Sequence, residues 1–335
     1  MHKFVDLLAQ HPFASFPKQS RIHPLRSFPS GNCYVKREDE LGFGISGTKV
    51  RKYLSLLPDI LREKPDEVVL IGSAYSNHIL SLSQLLKENG VEPILFLLGD
   101  DNCKLQGNLL FSTLIVSAKN IHWIPRSNWH GIDQIAANYA QKKTEDGIKA
   151  VVVPKGGNCA ASLPGAMTLA LDISRNEQES GLVFDHLLID SGTGLTACAL
   201  LLAFAHLRKH TFVHILQVAG DKEEFHRTLL DRKKDFEALI KEPVPSPTQF
   251  ALYTPTTAPA FGTANATVFK TIAEIAQEEG FLTDPVFTAK LFYEGKKILA
   301  EKSLSGNILF IHSGGGLGLT GFQEEMAKIV KASDK

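Results

Sequence analysis

His-Leu-Leu-Ile-Asp-Ser-Gly-Thr-Gly-Leu-Thr-Ala-Cys-Ala-Leu-Leu-Leu-Ala-Phe-Ala-His-Leu, residues 186–207, is the stretch that decides the fold of this chain. It opens with a short apolar run, which is typical of a strand covered on both faces of a sheet. A turn with two glycines follows. The apolar segment 195–207 then comes, which is too short to span a bilayer and is interpreted as a buried helix. Strand, turn and helix in this order form the repeating unit of an α/β protein.

The same unit recurs on both sides of this stretch. Predicted strands are 67–72, 93–98, 120–124, 150–154, 186–190, 212–218 and 307–312. Predicted helices between them include 77–89, 105–118, 195–207, 222–240 and 264–279. This alternation predicts an α/β fold with mainly parallel sheets. Residues 242–261 are rich in proline and threonine, and they are predicted to be a loop that crosses the surface.

Composition excludes several kinds of function. The 335 residues fit one large or two medium domains. With 36 basic and 36 acidic residues there is no basic field, so no nucleic-acid partner is expected. The four cysteines lie far apart without a Cys-x-x-Cys pair, which argues against a metal site and a disulfide scaffold. An aspartate interrupts the apolar stretch that a signal peptide would need, so we expect a cytoplasmic protein with no membrane partner.

Four turns rich in glycine or serine follow predicted strands, at 72–78, 154–158, 191–196 and 312–316. Ligands of open α/β sheets gather at the carboxyl ends of strands, where all four turns lie. In the third turn, two glycines, three hydroxyls and a helix N-terminus offer donors to one anion, as a phosphate requires. The turn matches neither the P-loop nor the G-x-G-x-x-G pattern, and a lone glycine turn is more often a packing feature.

Lys49 is the candidate catalytic residue. It lies in Gly-Ile-Ser-Gly-Thr-Lys-Val-Arg-Lys-Tyr (44–53), a glycine-flanked turn that leads into an amphipathic helix. Most lysines are solvated surface charges. A lysine held in a desolvated pocket can instead form an imine with a carbonyl. A phosphate-binding turn and an imine-forming lysine in one chain point together to a phosphorylated aldehyde, pyridoxal phosphate.

These residues carry a family resemblance. The chain resembles the tryptophan-synthase-β-like (fold type II) pyridoxal-phosphate enzymes, in the branch of D-cysteine desulfhydrase and 1-aminocyclopropane-1-carboxylate deaminase, over about residues 13–325. The matching motifs are Val35 to Asp39, Ser46 to Lys52, Ser76 to His78, Leu105 to Leu110, Pro154 to Gly157, Thr283 to Val286 and Phe310 to Gly315. The resemblance implies two three-layer α/β/α domains, residues 1–49 plus 161–335 as the larger and 50–160 as a smaller, mobile one. It also implies a homodimer.

The resemblance assigns roles at the matching positions. Lys49 would bind the cofactor covalently and later move the Cα proton, while Asn77 would donate to the pyridoxal 3′-oxygen. Ser76 would lie beside the substrate carboxylate and could relay a proton. Ser313, rather than Thr288, would face the pyridine nitrogen. The phosphate would be held by Ser191, Gly192, Thr193, Gly194, Leu195 and Thr196, and the substrate pocket would include Ser76, His78, Gly156, Phe261 and Phe287.

An acid at the pyridine nitrogen would keep the ring protonated and make it a strong electron sink, whereas a hydroxyl leaves the ring unprotonated. The hydroxyl expected here therefore favours β-elimination of a good leaving group. Thr288 stands where the deaminase is expected to carry glutamate. Two further departures remove phenolic hydroxyls, since the family's expected tyrosines are replaced by Phe261 and Phe287. Phenylalanine keeps ring packing but has no acid, base or nucleophile role. Tyr253 and Tyr293 are the candidates that could replace the lost phenol.

The sequence therefore predicts a pyridoxal-phosphate-dependent lyase that acts on a small amino acid such as D-cysteine and releases pyruvate, ammonia and the β-substituent. A second hypothesis is 1-aminocyclopropane-1-carboxylate deaminase, which opens a cyclopropane ring to give 2-oxobutyrate and ammonia. A third is an amino-acid racemase, and a fourth is a catalytically weak cofactor-binding protein.

Overall fold

The computed structural model describes Asp6, Leu8 and residues 18–28, 32–42 and 47–333. These residues contain ten strands in two sheets. The strands are β1 Ile22–Pro24, β2 Cys33–Lys36, β3 Glu67–Ser73, β4 Glu92–Leu98, β5 Ile121–Ile124, β6 Ala150–Val153, β7 His186–Ser191, β8 Phe212–Gln217, β9 Phe250–Tyr253 and β10 Ile308–Ile311. The helices of eight or more residues are α1 Lys49–Arg62, α2 Asn77–Glu88, α3 Gly107–Ile115, α4 Ile132–Glu145, α5 Leu163–Ser180, α6 Leu195–His206, α7 Lys222–Ile240, α8 Ala266–Glu279, α9 Thr288–Glu301 and α10 Gln323–Ser333.

The larger sheet has six strands in the order β1-β2-β10-β7-β8-β9, and the smaller has four in the order β5-β4-β3-β6. Every pairing is parallel except that of β1 with β2. The α/β prediction with mainly parallel sheets is confirmed. Parallel strands place their carboxyl ends at one edge of each sheet, so the glycine-rich turns that follow them gather there.

Each sheet is covered on both faces, as its apolar strands require. One face of the larger sheet packs with α5 and α6 around residues such as Met167 and Leu200, and the other packs with α9 around Phe292 and Phe310. The smaller sheet packs with α1 and α2 on one face and with α4 on the other. Both halves therefore have the predicted three layers.

A buried ion cluster orients α1. The Arg51 guanidinium donates to Glu38 at 2.5 Å and to Asp172 at 2.6 Å, and Lys36 Nζ lies 2.6 Å from Asp172. All four side chains are almost fully buried, and the two positive and two negative charges are matched. Because removing one member would leave a buried charge short of a partner, the rotation of α1 about its axis is strongly specified. The cluster accounts for Lys36, Glu38 and Arg51 of the matching motifs, and it places Lys49 on a defined side of α1.

The prediction of a loop over 242–261 is wrong in part. Residues Phe250–Tyr253 form β9, the edge strand beside β8. Edge strands tolerate irregular flanks and half-exposed side chains, so the proline-rich surroundings conceal the strand in the sequence. Among the described residues, no helix has the length and apolarity needed to cross a membrane.

Candidate active site

Lys49 is held at the carboxyl edge of the larger sheet by the backbone that precedes it. Gly47 has a φ of +79°, and a Cβ at this position would overlap the carbonyl oxygen of Ser313. The Thr48 N–H donates to the same oxygen at 3.0 Å. Only glycine permits both the left-handed backbone and this close approach. The start of α1 is thereby fastened to the turn that follows β10.

The Lys49 amine lies in a desolvated site. Its Nζ is 5.5 Å from the centre of the Phe287 ring. Burial lowers the pKa of Lys49, while attraction to Asp190 and Asp284 raises it in part. A lowered pKa increases the neutral fraction of the amine at a given pH, and the neutral amine is the form that attacks a carbonyl.

Asn77 is oriented by Asn108, which the sequence analysis did not assign. The Asn108 amide donates to Asn77 Oδ1 at 2.7 Å, which leaves Asn77 Nδ2 as the side-chain donor. That nitrogen would lie 3.0 Å from a Cβ at Gly315, so it faces the turn after β10. The signal for Asn108 was present in the motif from Leu105 to Leu110. Its contact with α2 could not be seen in the sequence.

Ser76 is the N-cap of α2. Its Oγ accepts hydrogen bonds from the N–H groups of His78 and Ile79, at 3.1 and 3.4 Å. A hydroxyl that accepts at a cap still has its own proton to donate. The cap therefore fixes the side chain while leaving it able to bind an acceptor.

The third glycine turn joins β7 to α6, as predicted. Gly194 is the N-cap of α6, so the first N–H groups of the helix point out of the turn. Ser191 Oγ is buried, and among the described residues it has no hydrogen-bond partner. An orphaned hydroxyl beside a helix N-terminus is a ready donor to an anion.

The loop after β6 packs directly on this turn. A Cβ at Gly156 would lie 2.6 Å from Thr193 Oγ1, so the position has no room for a side chain. Asn158 Nδ2 donates to the Thr193 carbonyl at 2.9 Å. Gly156 therefore brings the two sheets together at the turn, and this contact accounts for a glycine there.

Lys52, beside Lys49, is a buried lysine to which the sequence analysis gave no role. It stands one helical turn from Lys49, and its Nζ donates to the Gly156 carbonyl. Burial lowers the pKa of Lys52 well below its usual value, and the charge of Lys49 lowers it further. The spacing of three residues was visible, but basic residues so spaced are usually solvated. Its position beside the loop packed on Thr193 makes Lys52 a candidate phosphate ligand.

His78 lies behind these lysines. Its Nδ1 is 2.8 Å from the Tyr53 hydroxyl, and its buried Nε2 has no partner among the residues that the structure describes. Burial, followed by the charges of Lys52 and Lys49, lowers the pKa of His78 well below its usual value. The imidazole is therefore neutral near pH 7.

The Thr288 hydroxyl is engaged by Asp284 at the start of its own helix. Its Oγ1 donates to Asp284 Oδ1 at 2.8 Å and accepts the Asp284 N–H at 2.7 Å. The Asp284 carboxylate also accepts the N–H groups of Val286, Phe287 and Thr288, so it caps the start of α9. Ser313 remains the candidate that the sequence favoured.

Asp190 is an acid that the sequence analysis did not single out. It is the penultimate residue of β7, at the sheet edge where Lys49 lies. Burial raises the pKa of Asp190 to about 6, while a hydrogen bond from Ser313 lowers it in part. In the sequence this aspartate closes an apolar strand, which gave no indication of the groups that it faces.

Phe261 and Phe287 form one aromatic pair at the mouth of the site. Their ring centres are 6.0 Å apart in an edge-to-face arrangement, and Phe261 is half exposed. Phe287 also covers the phosphate turn, because a Cβ at Gly192 would lie 3.3 Å from its ring. The pair is apolar, so no phenol is present where Phe287 meets Lys49.

The two tyrosines considered as replacements lie in other contacts. The Tyr253 hydroxyl is 3.0 Å from His214 Nδ1, in the β8–β9 pair. The Tyr293 ring lies on α9 beside Lys297. The structure thus does not bring either of them to Lys49.

Comparison with known proteins agrees with this geometry. The profile of the family described as "Pyridoxal-phosphate dependent enzyme" matches residues 17–314. A putative 1-aminocyclopropane-1-carboxylate deaminase of Pyrococcus abyssi is 29% identical, over 98% of this chain and 100% of that protein. A D-cysteine desulfhydrase of Yersinia enterocolitica is 25% identical, over 95% and 99%. A solved structure of an ACC deaminase homologue superposes with a TM-score of 0.85 at 26% identity, over 98% and 99%.

Proposed function

This chain belongs to the pyridoxal-phosphate dependent enzyme family, and from that premise we propose that it eliminates the β-substituent of a small amino acid with loss of ammonia. D-cysteine is the first candidate substrate, with pyruvate, ammonia and sulfide as the products. The relatives named above support elimination or deamination as the reaction class.

The residues of the site fit the cofactor. The buried, partnerless hydroxyl of Ser191 and the N-terminus of α6 supply donors for a phosphate. Asn77 Nδ2 is oriented as a donor for the 3′-oxygen, and Lys49 supplies an amine of lowered pKa. Ser313 lies against the backbone that leads into Lys49. Together these groups match the aldehyde, the phosphate, the phenolic oxygen and the ring nitrogen of pyridoxal phosphate.

When bound, the cofactor supplies an electron sink that makes the proton on the substrate Cα acidic. In this proposal Lys49 takes that proton, and the lowered pKa of its desolvated amine supports the role because the amine is basic without being permanently charged. Ser76 can donate to the substrate carboxylate from the N-terminus of α2, where the helix dipole also favours an anion. Phe287 and Phe261 keep water from the reacting carbon.

One observation favours elimination over ring opening: the Phe287 ring meets the Lys49 amine, with no phenol there. Elimination of a thiol needs only a base and a good leaving group. Opening a cyclopropane is expected to need a further group acting on a ring carbon, and neither Tyr253 nor Tyr293 is brought to the site. The deaminase is kept as the second candidate because relatives carry that name.

The test is a turnover screen of the reconstituted enzyme with D- and L-amino acids and 1-aminocyclopropane-1-carboxylate. Ammonia, sulfide, pyruvate and 2-oxobutyrate would be measured, together with chiral analysis of the recovered substrate. We expect pyruvate and sulfide from D-cysteine, and loss of both the visible cofactor band and turnover in Lys49→Ala. Release of 2-oxobutyrate would support the deaminase, and inversion without a keto acid would support a racemase. Cofactor binding without any turnover would support a catalytically weak binding protein.

Two predictions from the resemblance, the domain division and the homodimer, and one from the sequence, the location, accompany the proposal. Residues 50–160 are proposed to be a smaller domain that closes over the substrate against 1–49 plus 161–335. A homodimer and a cytoplasmic location are also proposed. Light scattering of the purified protein, with hydrogen exchange in the presence and absence of a substrate analogue, would check the first two.

A further inference from the structure

Asp190 is an acid whose presence is not explained by the phosphate turn at 191–196 or by Lys49. It pairs in register with Leu216 of β8, and it lies two residues after Leu188, on the same face of β7, which packs on the α9 side of the larger sheet. Its carboxyl therefore emerges on the side where α9 begins. Its Oδ1 is buried and, among the described residues, lacks a hydrogen-bond partner. A buried carboxyl oxygen without a partner is destabilising, and such groups are found where function retains them.

The charged groups that face Asp190 come from two other elements. Lys49 of α1 attracts its carboxylate, and Asp284, before α9, repels it. The Asp284 carboxylate is engaged by the N–H groups at the start of α9, so it is not available as a further partner. The Ser313 side chain, after β10, faces the Asp190 carboxyl and lowers its pKa as a hydrogen-bonding group. The carboxyl thus stands behind the hydroxyl assigned to the pyridine nitrogen.

A hydroxyl has one proton to donate and two lone pairs that accept. If Ser313 donates its proton to the Asp190 carboxylate, the side of Ser313 Oγ that faces the cofactor can only accept. The group opposite must then carry a proton. A serine without an acid behind it would be free to donate to an unprotonated nitrogen instead.

We propose that Asp190 is a positioning residue that, through the Ser313 hydroxyl, selects the protonated form of the cofactor's pyridine nitrogen. This rests on the proposed function, because it requires pyridoxal phosphate in the site with its nitrogen at Ser313. It also changes the expectation from the sequence, where the hydroxyl alone implied an unprotonated ring. A protonated ring is the stronger electron sink. The site then also suits substrates whose leaving group is poor.

The direct test is the ¹⁵N chemical shift of the ring nitrogen. Purified protein would be reconstituted with pyridoxal phosphate labelled at that nitrogen, and spectra recorded at several pH values for the wild type, Asp190→Asn, Ser313→Ala and Asp101→Asn. Asp101 is an exposed aspartate in a turn and serves as the matched control. We expect the protonated shift in the wild type and in Asp101→Asn near pH 8. Asp190→Asn and Ser313→Ala should both move to the unprotonated shift.

An unprotonated nitrogen in the wild type, or a protonated one in both Asp190→Asn and Ser313→Ala, would overturn the inference. Two variants are needed because either alone could fold poorly, and a shared route through Ser313 requires the same change from each. A failure of the proposed function would look different: the wild type would show no visible band that depends on Lys49, or no turnover of any substrate. A wild type that turns over D-cysteine with unaltered shifts in both variants would reject only the role of Asp190.

Discussion

Two clusters of buried charge lie on opposite sides of α1 and begin only two residues apart. Around Arg51, every charge has a partner: Glu38 and Asp172 face Arg51 and Lys36 at hydrogen-bonding distance. Around Lys49, two lysines lie side by side, and the nearby Asp190 carboxyl has an oxygen without a partner among the described residues. A matched buried cluster is costly to break, whereas a buried charge without a partner is destabilising and is more often found at functional sites. The contrast separates the side of α1 that orients the helix from the side that is proposed to perform chemistry.

Breaking the matched cluster should have the largest effect on stability. Arg51→Met removes the charge that faces both Glu38 and Asp172, and it leaves the fully buried Glu38 with Lys36, 3.9 Å away, as its remaining basic partner. We expect a loss of about 3–5 kcal/mol in the free energy of unfolding. Urea denaturation followed by circular dichroism would measure it. Arg62→Met, on the same helix but half exposed and paired with the exposed Asp59, is the control and should change stability by less than about 1 kcal/mol. Equal losses of stability in Arg51→Met and Arg62→Met would refute a special role for the buried cluster.

Removing the charge of Asp190 from the unmatched cluster should instead increase the free energy of unfolding. The pKa of Asp190 is raised to about 6 from 3.8, so the folded protein binds this proton more tightly than the unfolded chain does. Stability is therefore lost as pH rises through about 4 to 6. We expect Asp190→Asn to stabilise the cofactor-free protein by about 3 kcal/mol at pH 8, since one pKa unit corresponds to about 1.4 kcal/mol.

The gain from Asp190→Asn should disappear near pH 4, where the wild-type carboxyl is also neutral. Urea denaturation at both pH values would show this, with Asp101→Asn as the control that changes at neither. A gain of the same size at pH 4 and pH 8 would mean that the ionisation of Asp190 is not its cause.

A smaller effect is expected from the uncharged hydrogen bond between Asn108 and Asn77. Asn108→Ala removes the hydrogen bond that orients the Asn77 amide. Because one such bond is worth about 1 kcal/mol, the dissociation constant for pyridoxal phosphate should rise by about five- to tenfold. Absorbance titration of the cofactor-free protein would measure it. Asn138→Ala, in an exposed pair on α4, should leave the constant unchanged. Unaltered affinity in Asn108→Ala would show that Asn77 needs no support.

The smallest effect on stability is expected from replacing Lys49, because attraction to Asp190 and Asp284 offsets part of the cost of burying its charge. Its pKa is lowered on folding, so the unfolded chain binds the proton more tightly and stability rises with pH until the usual value of 10.5. Lys49→Met should therefore raise the melting temperature of the cofactor-free protein at pH 7 and raise it less at pH 10. The exposed Lys234→Met is the control. A gain in melting temperature that is larger at pH 10 than at pH 7 would contradict a lowered pKa of Lys49.

Much of the fold could be predicted because its signals are local. Apolar runs such as 67–72 and 307–312 lie at β3 and β10, and the turn at 191–196 joins β7 to α6. A strand, a glycine turn and a helix each follow from neighbouring residues. The strand β9 escaped because its four residues are edge-placed and half buried, so the surrounding prolines dominated the pattern.

The site could be predicted only where one residue type suffices for a role. A lysine in a structured turn and a glycine turn before a helix were recognisable in the sequence. Asp172, Asn108 and Lys52 were not, since their partners lie 31 to 136 residues away along the chain. A side chain's partner across such a distance is set by packing and leaves no periodicity in the sequence.

The sequence by itself determined the α/β class, the family and the lysine, because these depend on local pattern and on the chemistry of single residues. Only the tertiary structure decided which charges are paired. Lys36 and Arg51 meet carboxylates, while Lys49 and Lys52 share one buried side of α1. It also engaged the Thr288 hydroxyl with Asp284 and brought Asp190 beside Ser313. The energy of a buried charge depends on what surrounds it in space, and residues far apart in the sequence supply those surroundings.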